Sequence, residues 1–281
     1  MAKKQKKKQP ITARVQHTEA KFKHSRVETA RLIRKFHVLN KELSKCKADP
    51  QLITQEQEIL KEMEDMGGLD WYQKASQLGQ SKTRGGDSSK WLIQTLKSHC
   101  NELVDQCNKP IKVLDIGAVA PDNYKPYNSW ITAKPIDLNP QHPDIQKQDF
   151  LMMKPPAKDD KFDIVCLSLV INFVGDPKDR GQMLKHTRDF FTLPSVNERL
   201  HHLFLVVPLP CVNNSRYMTH EHLLKMMGSI GYTRCIHHHF SNKLAYYLFQ
   251  LTGLPNTNNI DWKKKILQEG GGRNNFAVVM E

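Results

Sequence analysis

No apolar run in this 281-residue sequence approaches the roughly 20 residues that a helix needs to cross a bilayer, so no membrane span is expected. The start of the chain lacks the apolar core of a secretory leader. The six cysteines, Cys46, Cys100, Cys107, Cys166, Cys211 and Cys235, form no Cys-x-x-Cys pair and no close ligand spacing. These absences exclude a disulfide framework and point to an intracellular soluble protein with reduced, mostly buried thiols. Gly-x-Gly-x-x-Gly is missing as well, and with it the usual cradle for a dinucleotide pyrophosphate. Internal repeats and low-complexity tracts are absent apart from one lysine run, and nothing specifies an oligomeric state.

What the chain has in excess is positive charge. The net charge is +13, and it is unevenly spread: residues 1–90 carry 20 Lys/Arg against 11 Asp/Glu, and the remainder 22 against 18. Within residues 1–26 there are nine basic residues and one acid, including Lys3, Lys4, Lys6, Lys7 and Lys8. Such a block repels itself, so a solvated arm is expected over 1–26, suited to nucleic-acid phosphates or to nuclear and nucleolar addressing. A solubilising tail with no partner is the plainer alternative. An arm of this kind supplies affinity without sequence choice.

Residues 27–90 read as a helical extension closed by a polar loop. Leu32, Phe36, Leu39, Leu43 and Cys46 recur at alternating steps of four and three, which marks one helix face, and Asp49-Pro50 ends it. A second stripe through Leu52, Ile59, Met63 and Met66 stops at Gly67-Gly68. The two predict a helical hairpin that packs on itself or on the main domain. After the loop Ser81–Ser89, Asp87 or Ser88 is placed to cap a helix outlined by Trp91, Leu92, Leu96 and Leu103.

Over 91–281 the pattern changes to short β runs alternating with helices. Strands are expected at 111–115, 132–137, 145–149, 162–168, 203–208, 244–250 and 275–280, and helices at 179–191 and 219–229. This predicts an α/β fold with a largely parallel sheet covered on both faces. In such sheets ligands bind beyond the carboxyl ends of the strands, where the strand order reverses. The first strand ends in Asp115-Ile-Gly117, and Gly117 permits close backbone approach to a ligand. Asp137 ends the second strand 22 residues after Asp115, the length of one strand–helix–strand step, and its carboxylate suits a ribose diol. Asp149 and Phe150 follow the third strand, an acid for an adenine amino group and a ring for its face. One glycine followed by Ala118-Val-Ala-Pro121 is a poor phosphate cradle, so S-adenosylmethionine fits better than a dinucleotide. A scaffold with an empty crevice is the competing possibility.

Residues from about 66 to 281 resemble the fungal 25S ribosomal RNA adenine-N1 methyltransferase family. The matching stretches are Gly67-Gly-Leu69 with Tyr72-Gln-Lys-Ala-Ser76, Gly79–Ser89, Leu114-Asp-Ile-Gly-Ala118, Ile136-Asp-Leu-Asn139, Gln148-Asp-Phe150, Phe162–Val170, Arg180-Gly181 and Pro208–Tyr217. The resemblance implies a Rossmann-like class I methyltransferase fold with a seven-stranded, mostly parallel sheet. It further implies methyl transfer from S-adenosylmethionine to N1 of an adenine in large-subunit rRNA, on free rRNA or a pre-ribosome in the nucleolus. Gly117 and Asp137 would touch the cofactor, Asp149, Phe150 and Ser168 would line the adenosine pocket, and Arg84 would reach the methionine carboxylate. Animal relatives of the same family resemble non-catalytic S-adenosylmethionine sensors, so cofactor binding alone does not establish catalysis.

N1 of neutral adenine carries an in-plane lone pair and needs no strong general base; alignment with the methyl group suffices. The stretch after the fourth strand reads Ser168-Leu-Val-Ile-Asn172-Phe173 rather than the Asn/Asp-Pro-Pro-aromatic sequence associated with N6 methylation, which favours N1. On the substrate side the candidates are Asn172, Asn214 and Arg216, with Asn213 and Tyr217 nearby; the alternative is that Asn213–Ser215 form a turn and cap the helix beginning near Thr219. His237, His238 and His239 are consecutive in an extended run, so they point to alternate faces and cannot easily share a metal. A partly exposed basic patch is expected there, and no metal.

Overall fold

The computed structural model of the chain describes residues 26–46, 50–68, 70–71, 88–101, 109–157, 160–191, 201–253 and 262–281. The predicted 1–26 arm falls outside them except for Arg26. The helical hairpin is present: α1 (Arg26–Cys46) and α2 (Ile53–Asp65) pack through Leu39, Leu43, Cys46 and Ile59, with Leu52, Met63 and Met66 at the margin. The α1 stripe from Leu39 onward is therefore consumed between the two helices, and Lys35 of α1 pairs with Glu62 of α2 across the seam.

The body is one seven-stranded sheet in the order β3-β2-β1-β4-β5-β7-β6. Its strands are β1 (Ile111–Ile116), β2 (Ile131–Asp137), β3 (Gln146–Lys147), β4 (Ile164–Ser168), β5 (His202–Pro208), β6 (Arg234–Phe240) and β7 (Leu244–Gln250). The first five run parallel, and β7 lies antiparallel to both β5 and β6. This is a Rossmann-like, mostly parallel seven-stranded sheet with an antiparallel pair at one edge, as expected. Alternate residues of the central strands feed two cores. Leu114, Ile116, Val165, Leu167, Leu203 and Leu205 face α4 (Pro177–His186) and, beyond the short α5 (Pro210–Asn213), α6 (His220–Ser229). Val113, Ile164, Cys166, Phe204 and Val206 face Leu92, Ile93 and Leu96 of α3 (Ser89–His99). Burial on both faces is why these strands read as continuous apolar runs.

Two expectations are corrected. The segment 275–280 is not a strand; the antiparallel partner of β7 is β6, which includes Arg234 and all three consecutive histidines. β6 is an edge strand with a largely exposed face, so it needs no apolar pattern. The segment ending the chain is apolar because Ala277, Val278 and Met280 are buried, yet its backbone groups bond elsewhere: Phe276 O accepts from Ser215 Oγ, Ala277 O from Arg180, and Val279 N–H donates to Pro177 O. The second correction is that no helix joins β1 to β2. Residues 117–130 form turns and one 3₁₀ turn, Lys125–Tyr127. Pro121 and Pro126 within 14 residues discourage a continuous helix there.

His202, at the start of β5, is fully buried, and neither ring nitrogen has a hydrogen-bond partner among the described residues. Burial pushes its pKa down to about 3, with His201 and Arg234 adding to the effect. The ring is neutral in the fold and would be protonated in the unfolded chain below its ordinary value of 6.5. Its contribution to stability is thus complete above that value and is lost as pH falls toward 3. At pH 5 the loss amounts to about 2 kcal/mol. Thermal melts should show a falling midpoint from pH 7 to 5, and His202→Leu should flatten that slope. A slope unaltered by the substitution would assign the acid sensitivity to other groups.

Candidate functional site

The strand order reverses between β1 and β4, and the crevice at their carboxyl ends is lined by Ser88, Asp115, Ile116, Gly117, Ala118, Asn123 and Ser168, among others. Ile116 of β1 pairs with Ile136 of β2. Directly after them the N–H groups of Gly117 and Ala118 both donate to Ile136 O, at 2.8 and 3.1 Å. Gly117 and Asp137 therefore stand at adjacent strand tips on the same edge of the sheet. Gly117 has φ +73°, and a Cβ there would lie 2.7 Å from Val170 Cγ2. The glycine is required by its backbone and by its neighbour as well as by any ligand. Asp137 is 8% exposed, and its Oδ1 accepts the Asn139 N–H at 2.7 Å, which fixes the carboxylate at the strand tip.

Because turns rather than a helix follow Gly117, no helix N-terminus points at the crevice from that side. That turn therefore offers no helix-terminal amide array to a pyrophosphate, and a phosphate-free nucleoside fits the residues described there. The loop is bolted down instead: Asn123 Nδ2 donates to Asp115 Oδ2 (3.2 Å), Ser89 Oγ donates to Asn123 O (3.3 Å), and the Tyr124 hydroxyl meets Cys166 Sγ (3.3 Å). Asp115, buried at the floor of the crevice, and Asn123 were not singled out as site residues from sequence. The available signal was the acid two residues before the glycine.

The β4 exit is strained. Leu169 adopts φ +59°, a left-handed conformation that costs a side-chain-bearing residue about 1–2 kcal/mol. The bond from its N–H to Val206 O (2.8 Å) holds it there, and Val170 is thereby set against Gly117. Ser168 hydrogen-bonds Ser88 through their hydroxyls at 2.8 Å. Ser88 was expected as a helix cap, yet it makes no side-chain cap bond and ties α3 to β4 instead. Beyond, Asn172 Oδ1 is buried with no hydrogen-bond partner among the described residues.

Other predicted site residues are used differently. Asp149 is exposed and caps the 3₁₀ turn Phe150–Met152 by accepting the Leu151 N–H at 2.9 Å. The Phe150 ring is 3% exposed and packs in the core at 4.9 Å from Phe190 and 5.0 Å from His186. It does not offer a face to an adenine, because an aromatic entering a 3₁₀ turn beside α4 gains more by burial. Asn214 and Arg216 face the chain terminus: Asn214 Nδ2 donates to Gly272 O at 3.4 Å, and Arg216 donates to Asn275 Oδ1 at 2.8 Å and Arg273 O at 3.3 Å. The cap of α6 is Thr219 itself, accepting from the His222 N–H at 3.1 Å, not Asn213–Ser215. Arg84 lies outside the described residues.

The histidines of β6 do alternate in face. His237 stacks on His99 at 4.3 Å and Trp91 at 5.5 Å, and His238 meets His220 at 4.6 Å. Burial and then the neighbouring His99 hold His237 below the ordinary histidine value, while Arg234, His238 and His239 are exposed. Among the described residues no three His, Cys, Asp or Glu side chains group as a metal site.

Residues 57–278 match the family described as "25S rRNA (adenine(2142)-N(1))-methyltransferase, Bmt2". The sequence is 38% identical over 249 residues to a Schizosaccharomyces pombe protein named 25S rRNA adenine-N(1) methyltransferase, covering 88% of this chain and 90% of that one. It is 36% identical over 224 residues to the Saccharomyces cerevisiae 25S rRNA (adenine(2142)-N(1))-methyltransferase, spanning 79% of this chain and 63% of the longer relative. Among solved structures, the N-methyltransferase NodS of Bradyrhizobium japonicum WM9 with S-adenosyl-L-homocysteine aligns at 11% identity and TM-score 0.39, over 59% of this chain and 87% of that one. The 1,6-didemethyltoxoflavin-N1-methyltransferase of Burkholderia thailandensis aligns at 11% identity and TM-score 0.37, over 65% and 88%.

Proposed function

The chain belongs to the Bmt2 family of 25S rRNA (adenine(2142)-N(1))-methyltransferases, and from that membership we propose that it methylates N1 of an adenine in large-subunit rRNA with S-adenosylmethionine as donor. The observation that carries the cofactor reading is the pairing of Gly117 and Asp137 at adjacent strand tips, with turns and not a phosphate-cradling helix following β1. Gly117 gives backbone access, the Asp137 carboxylate receives the ribose diol, and Asp149 accepts from the adenine amino group while the backbone at Phe150 borders the ring. Ser168, held by Ser88, closes the crevice floor beside Asp115. Arg84 would serve the methionine carboxylate, a role that rests on the resemblance of its motif. When bound, the cofactor supplies a methyl group on a positively charged sulfur.

The protein's part is alignment. N1 lies on the pairing edge of adenine, so the target base must be unpaired or flipped out of a helix to be reached. As N1 bonds to carbon, positive charge spreads over the ring and the exocyclic amino group becomes a stronger donor. An acceptor fixed near that group is favoured more in the transition state than in the ground state. Asn172 Oδ1, a buried acceptor at the β4 exit with no partner among the described residues, suits this role. Asn214 and Arg216 act one step removed, by holding the terminal segment against the substrate side. The Lys-rich start supports a nucleolar setting and contact with rRNA or a pre-ribosome.

The test is incubation with labelled methyl donor and unmodified large-subunit rRNA, followed by nucleoside mass spectrometry for 1-methyladenosine. Absence of label in adenosine at every salt and RNA-folding condition would overturn the proposal. Asn172→Ala should lower kcat by about 10- to 100-fold, the value of one hydrogen bond to a charging group, with cofactor affinity unchanged. An unaltered kcat would remove Asn172 from the reaction.

A further inference from the structure

The sequence suggests that the apolar stripe of α1 decides where the extension sits, but the structure divides the helix between two tasks. Phe36, Leu39, Leu43 and Cys46 are buried, the last three against α2. A second, polar strip meets the body of the protein. Asn40 Nδ2 donates to Phe173 O at 2.6 Å, and the His37 ring meets the Phe173 ring at 4.6 Å, tilted by 38°. Phe173 immediately follows Asn172. The extension is thus docked on the loop that leaves β4, on the side where an RNA substrate would enter.

Continuing along the same strip, Lys41 lies one turn beyond His37, and Lys45 one turn beyond that. From the other end of the chain, Lys263, Lys264 and Lys265 are exposed in the irregular segment after Trp262. That segment is pinned in place by the N–H groups of Leu267 and Gln268 donating to Arg216 O, and Lys264 Nζ lies 4.3 Å over the Tyr217 ring. Beneath the seam sits Arg180, 7% exposed, whose guanidinium donates to the carbonyls of Val174, Gly175 and Ala277. Lys41 feels this company: burial first, then Lys264, Lys45 and Arg180 hold its ammonium below the ordinary lysine value, against an opposing pull from Glu42.

Two lysines elsewhere are paired with acids, Lys35 with Glu62 and Lys178 with Glu281. Lys41, Lys45 and Lys264 have no ion pair among the described residues. Three segments far apart in sequence converge to hold like charges together, an arrangement that opposes folding unless an anion offsets it.

We propose that the seam of α1, the post-β4 loop and the Trp262–Gln268 segment is a cradle for the phosphates of the RNA strand beside the target adenine, with Lys41, Lys45 and Lys264 as its contacts. This rests on the proposed rRNA substrate and assigns the extension a direct part in holding it. Cations that contact phosphate fix register without reading sequence, while Asn172 at the inner end of the seam meets the base. An unpaired strand is the occupant that the chemistry requires, because the adenine must be free of its partner.

The experiment uses the full chain and a single-stranded oligonucleotide of unmodified large-subunit rRNA. For Lys41→Gln combined with Lys264→Gln, the slope of log binding constant against log salt should fall by about 1.4, since each lost contact to a single strand is worth about 0.7. The KM for RNA should rise about tenfold at moderate salt, with kcat at saturating RNA and cofactor affinity unchanged. Lys109→Gln with Lys134→Gln, exposed lysines away from the seam, should leave the slope as it was. Should the double variant misfold, Lys264→Gln alone carries the test, because its side chain is exposed; its slope should drop by about 0.7. A slope equal to that of the unaltered protein overturns the cradle, as does retained RNA binding with loss of a pre-ribosomal protein contact. If the unaltered protein neither binds RNA nor forms 1-methyladenosine, it is the substrate reading that fails instead.

Discussion

Asp137→Ala should weaken S-adenosylmethionine binding by at least about 100-fold while the protein remains folded. The expectation follows from what the carboxylate is positioned to do. It is nearly buried at the tip of β2, beside the Gly117 turn, and its orientation is fixed by the Asn139 N–H. Two ribose hydroxyls bonding one anionic carboxylate contribute about 1.5–3 kcal/mol each, and every 1.4 kcal/mol is a factor of ten. The cost to the fold is smaller. Alanine deprives the Asn139 N–H of its acceptor, which removes about 1 kcal/mol and lowers the melting midpoint by about 2–4 °C in a domain of this size. Asp137→Asn separates the two contributions. It retains an amide oxygen for Asn139 and loses the charge, so its affinity should fall between the other two with little change in melting. Calorimetry decides: an alanine variant that binds the cofactor as the unaltered protein does would place the ribose elsewhere.

How far the sequence carried this result depends on what kind of pattern each element uses. β1, β4 and β5 are buried on both faces, so their apolar runs located them to within two residues at either end. Of β6 only the extended run His237–His239 is legible, because an edge strand bearing Arg234 and three histidines has no apolar run to mark its bounds. Conversely, 275–280 was taken for a strand because packing against α4 and a sheet ladder both demand apolar residues, and composition cannot distinguish them. The placement of Gly117 and Asp137 at adjacent strand tips was legible because the ends of β1 and β2 are marked by their apolar runs. Phe150 was misjudged: an aromatic at a strand end can face a ligand or the core, and the choice depends on Phe190 and His186, which arrive from a distant helix. Leu169 gave no signal at all, since nothing in a leucine announces a left-handed backbone. The docking of α1 on Phe173 was likewise hidden, because its polar contacts lie between the apolar positions that the periodicity reveals.

Gly181→Ala should be the most destructive single-methyl substitution outside the crevice, expelling the chain terminus from its groove and lowering stability by about 3 kcal/mol or more. A Cβ at that position would lie 1.9 Å from Val279 O and 2.8 Å from its carbonyl carbon, both backbone atoms that no rotamer change can move. The terminus can yield only by leaving. Its departure would also strip partners from Arg180, the residue next to Gly181, which donates to Ala277 O at 2.7 Å and lies 4.8 Å from the Phe276 ring. Burial already holds the Arg180 pKa down to about 10, so losing the Ala277 carbonyl leaves a poorly solvated guanidinium with one acceptor fewer, which is costly. The same guanidinium bonds Val174 O and Gly175 O, in the stretch that begins just after Asn172 and Phe173. Disorder at the terminus should therefore pass to the substrate side before it reaches Gly117 and Asp137. The variant is expected to melt about 6–12 °C lower, to lose methylation of RNA at temperatures where it is still folded, and to keep cofactor affinity within about threefold. Hydrogen exchange should show the change concentrated in 274–280 and 172–176. Unprotected amides spread evenly over the sheet would mean that Gly181 supports the whole core and has no selective hold on the terminus.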